Sequence, residues 1–432
     1  MKAFEFEPLY NKTVLENGVR IITEHHPSSR AVCAGIFVDQ GTRDEPEDII
    51  GAAHFVEHMV FKGTETRDAY EIARSLEAVG GDLNAYTTRE QTCFHATSLR
   101  EHLPFSLDVL SDLMSNSQFE TNDFKKERDV IIQEIHMSTD EYDDFIFDLA
   151  FENAFKGHEL GRSILGTPKT LQQITRRKLI DFYTRRYQGH NMLVCVAGHV
   201  NHEEVVRLMS RTLNLRRRPF QAPPRKRPVY RSFQKVLSRP SEQLHVLVTL
   251  PSVSVRDRNR FESYLANAAL GGGMTSRLYQ KVREKMGIAY TVYSYLQPFY
   301  DTGIQTIYAA TATKNMRRMF GVIVREIESL ARKGLSRAEL DYYRTQVIGS
   351  LVLESDDIEN RMNSIGYSEM IFGENHTVDQ TIQELQKVTV DSLNLYLKKY
   401  FDIRRAGAIL IGDINEDRTS GYLGRTLGGT AN

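Results

Sequence analysis

The chain has 432 residues, with 55 basic and 56 acidic side chains, a formal net charge of −1 and 41% hydrophobic residues. That length exceeds one ordinary hydrophobic core and predicts two or three domains, while the balanced charge supplies no global field that would recruit nucleic acid or an anionic membrane. Stretches of about 18 or more apolar residues are lacking, so no membrane span is expected.

The N-terminus, MKAFEFEPLYNKTVLENGVRI, carries acidic residues where a signal peptide needs a basic start and an apolar run. It also lacks the Arg-rich, acid-poor character of an organelle transit sequence, so the cytoplasm is the expected location, although a mature form with its leader removed looks the same. Cys33, Cys93 and Cys195 are far apart, odd in number and without a C-x-x-C pair. This argues against a disulfide framework or a cysteine-built metal site and predicts three small buried hydrophobes. Short β-branched runs such as GVRIITEH, AVCAGIFVDQG and CFHATSL, and later LHVLVTLP and IQTIYAAT, alternate with longer helical segments. They predict an α+β chain of antiparallel sheets with helices packed on one face.

EDIIGAAHFVEHMVFKGT reads as one helix, with Gly63 where a left-handed C-terminal cap belongs. On it His54 and His58 are one turn apart, about 6 Å along the axis, close enough to share a cation, and Glu57 projects from a neighbouring part of the face. This is H-x-x-E-H, the reverse of the commoner H-E-x-x-H zinc motif. Hydrolytic zinc takes three protein ligands and keeps a position for water, so a third ligand is needed. FKKERDVIIQEIHMSTDEYDDFIFD, read as a single helix, offers Glu127 and Glu134 two turns apart on one face. Glu134 is the expected ligand, and Glu127 the outer carboxylate orienting His58 or Glu134. His136 lies off that face and is expected at the surface. The plain alternative is a pair of surface histidines beside a carboxylate.

The Pro- and Arg-rich stretch RRRPFQAPPRKRP marks an inter-domain linker, assigned to 216–232 between an N-terminal domain 1–215 and a C-terminal domain 233–432. Its basic residues are expected to be solvated, the sharper alternative being an anionic docking strip. The two halves repeat one another. TPKTLQQITRRKLIDFYTRRYQGHNMLVCVAGHV is answered by TVDQTIQELQKVTVDSLNLYLKKYFDIRRAGAILIGDI, with Tyr187 against Tyr400 and Gly198 against Gly412. TNDFKKERDVIIQEI is likewise answered by LSRAELDYYRTQVIGSL. Two homologous domains are expected, the second without the metal motif.

With H-x-x-E-H followed after about 75 residues by ERDVIIQEI, the sequence resembles the pitrilysin-like metallopeptidase family over nearly its full length. The likeness is to the short-chain branch that includes the catalytic subunit of the mitochondrial processing peptidase and its bacterial relatives. That resemblance implies a clamshell-type fold and a zinc endopeptidase with one Zn2+ per chain held by His54, His58 and Glu134, Glu57 being the general base. In GGGMTSRLYQKVREKMGIAYTVYS it implies that Arg283 and Tyr290 reach the substrate carbonyl, where a guanidinium and a phenol can donate to developing negative charge. In GGDLNAYTTREQTCFHATS it implies a substrate-binding edge strand carrying Asn84, Ala85 and Tyr86, whose free backbone can accept an extended peptide as one more strand. Asp144 and Asp148 match acids that receive an arginine near the cut, a solvated helix face being the alternative. The implied partners are a peptide, presequence-like in character, and a second copy of the chain, or instead a non-catalytic homologue; the implied location is a bacterial cytoplasm. The intact His54, Glu57, His58 and Glu134 argue against a silent structural or peptide-binding subunit. The chain length and third carboxylate argue against the small thioether lyases that share the motif.

Overall fold

The structure, a computed structural model, describes residues 9–215 and 223–428. The first eight residues of the N-terminal stretch and the opening of the expected linker, 216–222, lie outside the described residues. The chain forms two compact units, each built from three separate segments. The first comprises Met1–Met137, Arg162–Arg225 and Leu353–Thr377; the second comprises Ser138–Gly161, Lys226–Val352 and Val378–Asn432. The uninterrupted division at 215 and 233 read from the sequence therefore differs from the structure, because each half of the sequence supplies one helix to the sheet formed by the other half.

In the first unit, β1 (Leu9–Val14), β2 (Arg20–His25), β3 (Ala31–Val38), β4 (Asp82–Thr87), β5 (Thr92–Leu99) and β6 (Met192–Gly198) form a sheet in the order β1-β2-β6-β3-β5-β4. β2 and β6 run parallel and the other pairs antiparallel. The near-continuous apolar runs of β3 and β6 fit central strands buried on both faces. On the front face, Val32, Ala34 and Ile36 of β3 pack with Phe55, Val56 and Met59 of the helix Ala52–Val60 and Leu107 and Leu110 of the helix Leu103–Asn116. On the back face, Cys33, Phe37, Cys93 and Cys195 meet Met362 and Ile365 of the helix Ile358–Phe372. Two glycines set that close approach: a Cβ on Gly35 would lie 2.5 Å from Met362 Sδ, and one on Gly366 would lie 2.5 Å from the Phe37 ring. All three cysteines are free and buried, as their spacing predicts.

The second unit repeats this plan. β7 (Gln234–Ser238), β8 (Leu244–Ser252), β9 (Ala289–Pro298), β10 (Gly303–Thr311) and β11 (Gly407–Gly412) are ordered β7-β11-β8-β10-β9, matching β2-β6-β3-β5-β4 strand for strand, with β7 and β11 parallel. Its back face, including Leu247, Ile409 and Ile411, is covered by Ile146, Leu149 and Ala150 of the helix Tyr142–Ala154. The repeated helix-strand-helix is present as Arg176–Arg186, β6 and His202–Thr212, and again as Val390–Tyr400, β11 and Glu416–Thr426. Gly198 and Gly412 both end their strands at positive φ, 123° and 159°. Tyr187 follows its helix as the C-cap, and the residue in that place in the second copy is Phe401, one position beyond Tyr400. The fold is thus α+β in two related units, and among the described residues no helix is long and apolar enough to cross a membrane.

Candidate metal centre

The helix bearing both histidines is shorter than its sequence pattern. Glu47–Ile49 is a 3-10 turn, and Gly51 takes the left-handed conformation (φ 98°) that starts the helix at Ala52. Its first turn is capped from outside by the buried Glu45, whose carboxylate accepts from the backbone N–H groups of Gly51 at 2.8 Å and Ala53 at 2.7 Å. Burial pushes the Glu45 carboxyl up to about 8, against those two bonds. The helix ends at Val60 with Phe61 as a right-handed C-cap, so Gly63, at φ 145°, lies beyond the cap and bridges instead to Asp68.

Glu134 comes from the helix Thr121–Asp140. Stacking of Phe55 on Phe124, with ring centroids 4.9 Å apart and planes 13° apart, holds that helix against the histidine helix. The imidazoles of His54 and His58 lie 4.6 Å apart between centroids. His54 Nε2 is 3.8 Å from Glu134 Oε1, and His58 Nε2 is 3.7 Å from Glu134 Oε2. These separations are too long for hydrogen bonds. They approach the spacing, roughly 3.3 Å, of two donors on one tetrahedral zinc, and the three ligand atoms lie within 4.8 Å of one another. Burial, then the neighbouring His58, lowers the His54 pKa to about 3, so its lone pair is free at neutral pH. Burial raises the Glu134 carboxyl and His58 opposes that. Two imidazoles and one carboxylate are a donor set that fits zinc in a hydrolytic site.

Glu127 stands where the sequence put it. Its Oε2 accepts from His58 Nδ1 at 3.1 Å, which turns Nε2 towards Glu134, and its Oε1 pairs with Lys62 Nζ at 3.0 Å. Glu57, three residues after His54, has its pKa raised by burial; the hydroxyl of Thr87, which donates to its Oε2, and then His58 work against that rise. Thr87 was not anticipated, although alternation along β4 could have found it. Leu83 and Ala85 pack into the front core, and Thr87 follows on the same face. Asn84 and Tyr86 therefore face the other way, and Tyr86 O–H donates to Asn363 Oδ1 at 2.9 Å. Of the three expected substrate-strand residues, only Ala85 presents its side chain on the histidine side. β4 is nevertheless the sheet's edge, as expected. His136 is exposed.

In the second unit Arg283 sits in a π-helical turn, Gln280–Lys285. Its guanidinium carbon lies 4.5 Å from the centroid of the Tyr290 ring and 5.0 Å from that of Tyr279. Tyr290 is 78% exposed on the edge strand β9. Asp144 and Asp148 belong to the helix Tyr142–Ala154 rather than to the helix of Glu134, the break falling at Glu141 with ψ 93°. Asp143, Asp144 and Glu242 line a cavity of about 520 Å³ with His245, Tyr293 and Tyr308. Asp148, one turn further, is half-buried. The expected solvation of the basic linker fails at Arg225, which binds Asp44 through two bonds and Asp39 through one, each 2.8 Å. Burial works against its charge, but the bonds to Asp44 keep its pKa above the ordinary value.

Residues 20–168 match the family described as Insulinase (Peptidase family M16), and residues 173–347 match the Peptidase M16 inactive domain. A protein named as an uncharacterized zinc protease in Mycobacterium tuberculosis is 35% identical, the alignment covering 94% of each chain. The uncharacterized zinc protease YmxG of Bacillus subtilis is 34% identical, covering 89% of this chain and 94% of its own. Among solved structures, a protease from Helicobacter pylori superposes with a TM-score of 0.88 at 19% identity, over 94% of this chain and 100% of that one, a likeness of fold. Sharing the fold, and matched to such relatives along almost its whole length, the chain belongs to peptidase family M16.

Proposed function

We propose that this chain is a zinc-dependent endopeptidase that binds one zinc ion through His54, His58 and Glu134 and cleaves peptides lying extended along the edge of β4. The observation that carries the reading is the convergence of two imidazole nitrogens and a carboxylate from two helices, with the half-buried carboxylate of Glu57 on the same helix as the histidines. Bound zinc supplies Lewis acidity, polarising the scissile carbonyl and acidifying water. Glu57 accepts the proton of the attacking water and delivers it to the leaving amine; a carboxyl raised by burial is suited to both tasks near neutral pH. Glu127 holds the His58 ring in the orientation that points Nε2 at the ion. The backbone of β4 supplies strand-type hydrogen bonds to the peptide. Arg283 and Tyr290 are assigned to the carbonyl oxygen as it gains charge, and Asp144 and Asp148 to a basic substrate side chain near the cut, as in a presequence. The acidic lining of the cavity at Asp143, Asp144 and Glu242 supports that preference. The working form is a homodimer, a heterodimer with a non-catalytic homologue being the alternative, in a bacterial cytoplasm.

The test is Glu57→Gln with metal content and turnover of a basic presequence-like peptide measured together. Zinc is expected to stay at the wild-type ratio while kcat falls by about 10²–10⁴-fold. Turnover near wild type removes Glu57 as the base, and a Glu134→Gln protein that keeps both zinc and activity overturns the reading as a whole.

A further inference from the structure

We propose a second metal site in the first unit, on the back face of its sheet, with Cys33, His95 and Glu359 as the protein ligands and zinc as the ion. Cys33 on β3 pairs with Thr97 on β5, and Gly35 with His95, so Cys33 and His95 are diagonal neighbours on one face of the sheet. Glu359 reaches them from the first turn of the helix Ile358–Phe372. One ligand atom from each of the three lies within 4.8 Å of the other two, the same limit that encloses His54, His58 and Glu134. His95 Nδ1 stands 3.8 Å from Glu359 Oε1, as His54 Nε2 stands 3.8 Å from Glu134 Oε1. In both places an imidazole and a carboxylate face each other beyond hydrogen-bond reach, with a separation that an ion between them can close.

The chemistry of the donors selects the ion. A thiolate, an imidazole and a carboxylate together suit zinc or a similar borderline divalent cation and exclude calcium and magnesium, which take oxygen ligands. Cys33 is fully buried and His95 is 5% exposed, while the Glu359 side chain is 44% exposed, which leaves an approach from solvent on the helix side. Thr97 Oγ1, 3.3 Å from Cys33 Sγ and 3.5 Å from Glu359 Oε2, sits beside both ligands as a hydroxyl able to donate to either. On binding, the thiol proton of Cys33 leaves to solvent and the sulfur bonds to the ion. The site would pin the returning segment Leu353–Thr377 to the sheet. It stands directly behind the β4 edge, since His95 is the cross-strand partner of Asn84. The proposal runs against the expectation from spacing alone, since it gives Cys33 an imidazole and a carboxylate as neighbours from distant parts of the sequence.

Cobalt tests this without interference from the first site, whose ligands contain no sulfur. Metal-free full-length protein titrated with Co2+ is expected to bind two ions per chain and to develop a thiolate-to-cobalt charge-transfer band in the near ultraviolet. Cys33→Ser is expected to abolish the band and leave one ion per chain. Glu359→Gln, a near-isosteric change at a half-exposed helix position, is expected to raise the Kd for the band-forming ion at least tenfold. Absence of the band, a band that survives Cys33→Ser, or an unchanged Kd in Glu359→Gln overturns the proposal.

Discussion

If Glu57 is the base proposed above, the hydroxyl of Thr87 sets its working range. Its bond to Glu57 favours the ionised carboxylate, so Thr87→Val raises the Glu57 pKa further above its ordinary value. In the proposed role Glu57 must be unprotonated to accept a proton, so activity is expected to fall as pH drops through its pKa. The acid limb of the kcat/KM profile is therefore expected to move to higher pH in Thr87→Val, and a limb that stays in place uncouples Thr87 from the base. Glu127→Ala removes the acceptor of His58 Nδ1 and the partner of Lys62; competition with a chelator is expected to report zinc held about 10–100-fold more weakly. Helical spacing makes the shared face of His54 and His58 legible in the sequence, and that of Glu127 and Glu134, while the meeting of the two helices is implied by the family resemblance. Alternation along β4 puts Thr87 on the face of Leu83 and Ala85 but does not say what it meets there, and the place of His95 beside Cys33 depends on a pairing register that is not written in local spacing.

At the scale of the element, the histidine helix depends on Glu45 lying outside it. Glu45→Ala leaves the N–H groups of Gly51 and Ala53 without their acceptor in a buried site. A buried unsatisfied donor costs about 1–3 kcal/mol, so metal-free Glu45→Ala protein is expected to melt at a lower temperature and to bind zinc more weakly than wild type; an unchanged melting temperature denies the capping role. Clusters of β-branched residues mark strands such as β3 and β6 in the sequence. Helix ends are less plainly marked. The polar and apolar pattern runs on through Glu47–Ile50, yet a left-handed Gly51 fixes the start at Ala52. The break at Glu141 falls within DEYDDF, which contains neither glycine nor proline to announce it.

For the whole molecule, the repeat was visible in the sequence and the exchange of segments was not. Two similar halves invite the assumption that each folds on itself, and only the sheet contacts reveal that the helix Ile358–Phe372 belongs with β2, β3 and β6 and the helix Tyr142–Ala154 with β8 and β11. Residues 1–222 expressed alone would bare Phe37, Cys93, Leu193 and Cys195 to water, the surface that Met362 and Ile365 cover in the full chain. That fragment is expected to aggregate, and co-expression with residues 223–432 to recover soluble protein; soluble yield decides, and a well-behaved lone fragment counts against the exchange.

The loan of one helix in each direction makes the peptide link between the halves dispensable once folding is complete. A single cut between the two halves would release no free half, because each product still carries a piece the other product's sheet requires. Heat is expected to melt the intact chain in a single calorimetric transition, and the nicked pair to melt in a single transition that becomes dependent on protein concentration.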